Sequence, residues 1–163
     1  MRKMLEHRTA AGIEEMQPSM AYETRMQGYN LIAVFDESGE NWLLCRRLKE
    51  PYLGLDNLVG GHLEPGENSE DAAYRELWEE TGISRQDIRL THLMDFSYPL
   101  DDCWVEVYVG RLHGPFQVHG DENRLFWSDL DHNFFDSSLY AGEGNIGHIL
   151  EHILLKKELL LGE

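Results

Sequence analysis

Residues 61–83, GHLEPGENSEDAAYRELWEETGI, constrain what this chain can fold into more than any other stretch. They carry seven acids (Glu64, Glu67, Glu70, Asp71, Glu76, Glu79, Glu80) and one base, Arg75. A loop comes first, with Gly60 and Gly61 at its entrance and Pro65-Gly66 as a tight turn. Helix signals follow. Ser69 is a good N-cap, Glu70 and Asp71 suit the positive first turn, and Gly82 supplies the stop. At about 100° per residue, Ala73, Leu77, Tyr74 and Trp78 share one arc of this helix. Glu79, Ala72, Glu76 and Glu80 share the adjacent arc, with Arg75 at its border. Three carboxylates therefore gather beside the apolar stripe that must face a core.

Like charges three and four residues apart repel. A solvated face explains scattered glutamates but not three that converge where they are partly desolvated. A hard divalent cation resolves the conflict, because carboxylate oxygens are the ligands that Mg²⁺ and Mn²⁺ prefer. The loop fits the same picture. Glycine lets a backbone carbonyl approach a ligand, and a helix N-terminus favours anions.

The rest of the chain supplies a scaffold. Residues 29–35, YNLIAVF, read as a buried strand, 36–40 as a turn, and 41–47 as the returning strand of a hairpin. Residues 57–61 form a short strand. Residues 88–98 and 103–112 are strand-like, joined by a turn at 100–102. In the second, Trp104, Glu106 and Tyr108 alternate with Val105, Val107 and Val109. Another short strand covers 124–130, and 131–144 is a long loop. Residues 146–161 form a last helix, with Ile146, Ile149, Leu150, Ile153, Leu154 and Leu161 on one face. Strands before, between and after two helices favour an α/β fold: a mixed sheet with helices on both faces.

Nine of the positions in 61–83 match a known pattern. Gly61, Glu67, Arg75, Glu76, Leu77, Glu79, Glu80, Gly82 and Ile83 fill every fixed position of the Nudix box, G-x5-E-x7-R-E-U-x-E-E-x-G-U, where U is bulky and aliphatic. The chain thus resembles the Nudix hydrolases, MutT-like members included, and the resemblance implies their α/β/α sandwich over 26–163. It implies metal-dependent hydrolysis of a nucleoside diphosphate linked to another moiety. An (oxidised) purine nucleoside triphosphate is one such substrate. ADP-ribose, a nucleotide sugar or a dinucleoside polyphosphate is an alternative, as is a nucleotide-binding module without turnover. The roles implied are metal ligation by Glu76, Glu79, Glu80 and the Gly61 carbonyl. Glu80 is the firmest ligand and Glu76 the first choice of base within the helix. Arg75 orients a neighbouring carboxylate, with Glu79 at i+4 as its partner, and Glu67 braces the loop. Glu122, in the loop 119–123, is expected as a further ligand or base. Asn145 stands where MutT-type enzymes read a purine edge, with helix capping as the plainer alternative. Phe134 and Phe135 are the preferred aromatics for stacking on a base, with Tyr29, Phe35 and Trp127 as further candidates.

Charge narrows the partners. The 163 residues carry a net charge of −16, which repels phosphate backbones and leaves no basic track for a long nucleic acid. The same argument weighs against an anionic membrane face. A small nucleotide can still bind if cations sit between. Cys45 and Cys103, far apart in sequence, read as free thiols. Residues 1–25 hold four bases and four acids, with Pro18 interrupting them, and are expected to form a flexible or loosely docked arm. With no apolar signal stretch at the start, a soluble cytoplasmic protein is expected. A homodimer is left open.

Overall fold

A computed structural model describes residues 26–162. The expected arm at 1–25 lies outside the described residues. The chain runs β1 (Gln27–Phe35), β2 (Asn41–Arg46), β3 (Asp56–Asn57), α1 (Ser69–Thr81), β4 (Thr91–Tyr98), a 3₁₀ turn (Pro99–Asp101), β5 (Cys103–Arg111), β6 (Arg124–Asp129), α2 (Asn145–Leu155) and α3 (Lys157–Leu161). The strands form one mixed sheet in the order β3-β2-β1-β5-β4, with β6 paired to β2. β1 and β5 are parallel, and the other pairs are antiparallel.

Side-chain alternation along the strands builds two cores. Ile32 and Val34 of β1 and Tyr108 of β5 face α1, where they meet Tyr74 and Leu77. Ala33, Phe35, Val107 and Val109 point the other way, onto Ile146, Ile149 and Ile153 of α2. Opposite faces are therefore each covered by a helix, which makes the α/β/α sandwich. No helix among the described residues is long and apolar enough to cross a membrane.

Four local expectations are corrected. Asn68, not Ser69, caps α1: its Oδ1 accepts from the N–H groups of Glu70 (3.0 Å) and Asp71 (3.3 Å). Ser69 turns its hydroxyl to the Glu106 carboxylate instead, at 3.0 Å. Trp78 is 61% exposed, while Ala72 and Glu80 are buried, so the buried arc is rotated toward the glutamates. The strand expected at 57–61 shrinks to β3 plus isolated bridges from Val59 to Ile32 and from His62 to Tyr29, because the path beside β1 bends at the glycines. The last helix breaks at Lys156 (φ −124°), after which Leu161 turns into the core and Arg111 takes its carbonyl.

Candidate active site

The site is built where the Gly60–Gly61 turn meets the flank of α1. Gly60 has φ +148°, and a Cβ on it would lie 2.1 Å from the Asn30 carbonyl oxygen. Gly61 is pressed against α1, where a Cβ would fall 2.4 Å from the Glu76 carboxylate. Only glycine permits this approach. Asn30 of β1 grips Gly61 twice. Its backbone N–H donates to the Gly61 carbonyl (2.8 Å), and the Gly61 N–H donates to Asn30 Oδ1 (3.0 Å). A carbonyl oxygen has two lone pairs, so the Gly61 oxygen keeps one for a metal.

Arg75 ties the loop to the helix. Its Nε and Nη2 bind the two oxygens of Glu67 at 2.6 and 3.0 Å, and Nη2 also reaches the His62 carbonyl at 3.0 Å. Its Nη1 holds Glu76 at 2.8 Å and Glu79 at 3.2 Å. The expected i, i+4 bridge to Glu79 is thus present but is the longest of the set. The forked grip on Glu67 is the stronger bond, and it holds the Glu67 carboxyl below its ordinary value. Glu67 in turn accepts the Glu64 N–H at 3.0 Å, which braces the Pro65-Gly66 turn.

At the other end of α1, residues 119–123 dock on the helix terminus. The His119 N–H donates to the Thr81 carbonyl at 3.1 Å. A Cβ on Gly82 would strike the His119 ring at 2.2 Å, and one on Gly120 would strike the Glu80 carbonyl at 2.0 Å. Buried Asn123 accepts the Leu48 N–H at 3.2 Å and ties this segment to the chain after β2. The docking brings exposed Glu122 near Glu76 and Glu80, whose carboxyls both feel its charge.

Burial sets the electrostatics. Glu80 is 7% exposed. Desolvation first, then the charges of Glu122 and Glu76, push its carboxyl up to about 8, against the pull of the Gly60 N–H and of Arg47. Desolvation also raises Glu76, while the Arg75 bond opposes it. The side chain of Glu79 is 51% exposed. The donor set consists of oxygens alone: three helix carboxylates, a loop carboxylate and the Gly61 carbonyl. A buried carboxylate raised by desolvation and by two like charges, in a set of oxygen donors alone, fits a hard divalent cation. Among the described residues, no three His, Cys, Asp or Glu side chains stand close enough together to hold a metal ion as they are placed.

The other expected site residues lie elsewhere. Phe134 is corrected: at 2% exposure it packs edge-on against Trp42 at 4.9 Å and has no face to offer a base. Phe35 is fully buried, and Trp127 packs on the α1-side core. Tyr29 lies against the His62 ring at 4.8 Å. Phe135 is 51% exposed and lies over Gly147, where a Cβ would meet its ring at 2.6 Å. Asn145 is the first residue of α2, but Gly144 holds the cap position. The Asn145 amide donates to the Tyr98 hydroxyl instead. Phe135 and Asn145 thus share the N-terminal end of α2. Cys45 and Cys103 are free thiols, and burial pushes Cys45 up to about 12.

The sequence reading missed two residues. Asn30 interrupts an otherwise apolar strand, and that interruption is its signal. Arg47 is the second of two adjacent bases. Arg46 forms a forked pair with Asp56 at 2.8 and 3.1 Å, and Arg47, whose Nε donates to the Pro51 carbonyl at 3.3 Å, is the cation whose charge Glu80 feels.

Comparison with known proteins identifies the family and the fold. Residues 24–139 match the model of the NUDIX domain family. An NAD-capped RNA hydrolase of Saccharomyces cerevisiae is 42% identical over 45 residues, which is 28% of this chain and 12% of that protein. The match therefore spans about an eighth of that relative's length. A MutT structure from a study of Aliivibrio salmonicida and Vibrio cholerae superposes with a TM-score of 0.62 at 20% identity, over 80% of this chain and 98% of the other. The NUDIX domain of a Shewanella oneidensis protein, solved with ADP-ribose, gives 0.63 at 16% identity, over 81% of this chain and 88% of the other. At such identities the structural matches speak for the fold.

Proposed function

The chain belongs to the NUDIX domain family, and from that premise we propose that it is a divalent-metal-dependent pyrophosphohydrolase of a small nucleoside-diphosphate-linked substrate. The observation that carries the proposal is the buried, charge-crowded Glu80, which feels Glu122 and Glu76 and takes the Gly60 N–H, with Gly61 pressed against Glu76. Glu76, Glu79, Glu80, Glu122 and the Gly61 oxygen would hold Mg²⁺ or Mn²⁺, which supplies neutralisation of the charge that develops on the phosphoryl oxygens.

The chain's own groups do the rest. Arg75 keeps Glu76 oriented through Nη1, so Glu76 is suited to ligation more than to proton transfer. Glu122 is exposed and faces the same cluster, and its carboxylate takes the proton from the attacking water. Arg47 adds a cation whose charge Glu80 feels, near enough to favour a diphosphate there. Phe135 stacks on the base and Asn145 reads its edge. Their shared place at the start of α2 supports a purine nucleotide, an (oxidised) purine nucleoside triphosphate among them.

The yeast relative is an NAD-capped RNA hydrolase, but the match to it covers 45 residues, 28% of this chain. A net charge of −16 favours a small nucleotide over an RNA chain. The test is a panel of nucleoside triphosphates, ADP-ribose, nucleotide sugars, dinucleoside polyphosphates and triphosphorylated RNA, assayed with Mg²⁺ and with EDTA. Metal-dependent release of a nucleoside monophosphate from a small nucleotide supports the proposal. Turnover of RNA alone, or of nothing, refutes it.

A further inference from the structure

Asn30 has no part in the site as the sequence describes it, yet it is 1% exposed in the middle of β1. A buried asparagine in an apolar strand is costly unless its amide is fully used. Only part of it is used. Oδ1 accepts the Gly61 N–H, but Nδ2 is buried with no hydrogen-bond partner among the described residues.

A complementary orphan stands beside it. Asn30 pairs with Glu106 in the parallel β1–β5 register, so the two side chains leave the same face of the sheet from strands about 4.8 Å apart. Glu106 Oε1 accepts from the Ser69 hydroxyl at 3.0 Å and the Trp104 indole N–H at 3.2 Å. Glu106 Oε2 is buried and has no partner among the described residues. One side chain is short of an acceptor and its neighbour is short of a donor.

We propose that Asn30 is a positioning residue of the metal centre, joined to Glu106 through its Nδ2–H group by one bridging water, and holding the Gly61 turn through Oδ1. The link runs from Ser69 at the start of α1, through Glu106 and Asn30, to the Gly61 carbonyl beside Glu76. Glu106 sets the amide so that its oxygen, and not its nitrogen, faces Gly61. The amide then fixes the direction in which the Gly61 oxygen points. This inference rests on the proposed metal site and adds residues that do not touch the ion.

The experiment is a Mn²⁺ titration followed by electron paramagnetic resonance, with turnover measured separately. Asn30→Leu keeps the volume and removes the amide. Asn30→Ser is the second variant, in case the leucine disturbs folding. Either one weakens Mn²⁺ binding by about 10- to 100-fold, the usual effect of losing a group that orients a ligand. The substrate KM at saturating metal moves less than that. Glu106→Leu weakens Mn²⁺ in the same direction, and the Asn30→Leu/Glu106→Leu double variant is no weaker than Asn30→Leu alone. A folded Asn30 variant that binds Mn²⁺ within twofold of the wild type overturns the inference, even if its melting temperature falls. Independent, multiplying losses in the double variant overturn the link to Glu106. A wild-type chain that binds no Mn²⁺ overturns the metal site itself, a result distinct from the other two.

Discussion

Glu80→Gln should make the metal-free protein more stable while disabling it. The Glu80 carboxyl is 7% exposed and rises from an ordinary 4.5 to about 8, through burial first and then the charges of Glu122 and Glu76. Below pH 4.5 both folded and unfolded chains hold the proton, and the site adds no penalty. Between 4.5 and about 8 the unfolded chain releases the proton while the folded chain retains it, so stability falls as pH rises. At about 1.4 kcal/mol per pH unit, the loss reaches about 3 kcal/mol by pH 7. Glutamine keeps an oxygen for the Gly60 N–H and removes the charge. In EDTA at pH 7 the variant should therefore gain up to about 3 kcal/mol, on the order of 6–10 °C in Tm. Urea unfolding at steps from pH 4.5 to 8.5 measures this. The wild type should lose stability across that range, and the variant should show a flatter curve. Saturating Mg²⁺ or Mn²⁺ should stabilise the wild type more than the variant, because binding to the folded form adds to its stability. Turnover of the variant should drop by about 10³ or more. A variant no more stable than the wild type in EDTA, or one with the same pH slope, would refute the electrostatic reasoning.

Four further substitutions probe the geometry. Gly61→Ala places a Cβ 2.4 Å from the Glu76 carboxylate, so it should cut kcat by about 100-fold; unchanged steady-state kinetics would show that this contact is irrelevant. Arg75→Lys loses the forked bond to Glu67 while keeping the charge, and kcat/KM should fall by about 100-fold with a lower Tm; a lysine variant with wild-type kinetics would mean that charge alone matters. Phe134→Ala should cost about 3–5 kcal/mol in denaturant unfolding and leave KM alone. Phe135→Ala should do the reverse, raising KM with little change in stability. The opposite pattern in this pair would return Phe134 to the binding surface.

The features legible in the sequence were those set by local rules. Helical spacing placed the glutamates on α1, a glycine marked its end, and alternation in 103–112 separated the two faces of β5. Features set by distant contacts were not legible. Arg75 prefers Glu67, eight residues back across a loop, where no helical spacing rule applies. Asn68 and Ser69 are both good caps, and Ser69 is drawn away by Glu106 from a strand 37 residues on. Phe134 and Phe135 are neighbours of one kind, and the positions of Trp42 and Tyr140, distant from the strand pattern, decide which is buried. Asn30 and Glu106 meet through a parallel pairing that local periodicity does not encode. Net charge leaves one exception open, an acidic chain that takes phosphates where a cation stands between, and the nucleotide panel tests it.

The central claim is that the carboxylates on α1, with Glu122 and the Gly61 carbonyl, use a divalent cation to split a phosphoanhydride. Incubating the protein with the nucleotide panel in H₂¹⁸O, with Mg²⁺ or with EDTA, and following products by ³¹P NMR tests it most directly. A nucleoside monophosphate and a second phosphorylated product should form, with ¹⁸O on one of them, only when Mg²⁺ is present. Equal turnover in EDTA, or no cleavage of any nucleotide with Mg²⁺, would contradict it.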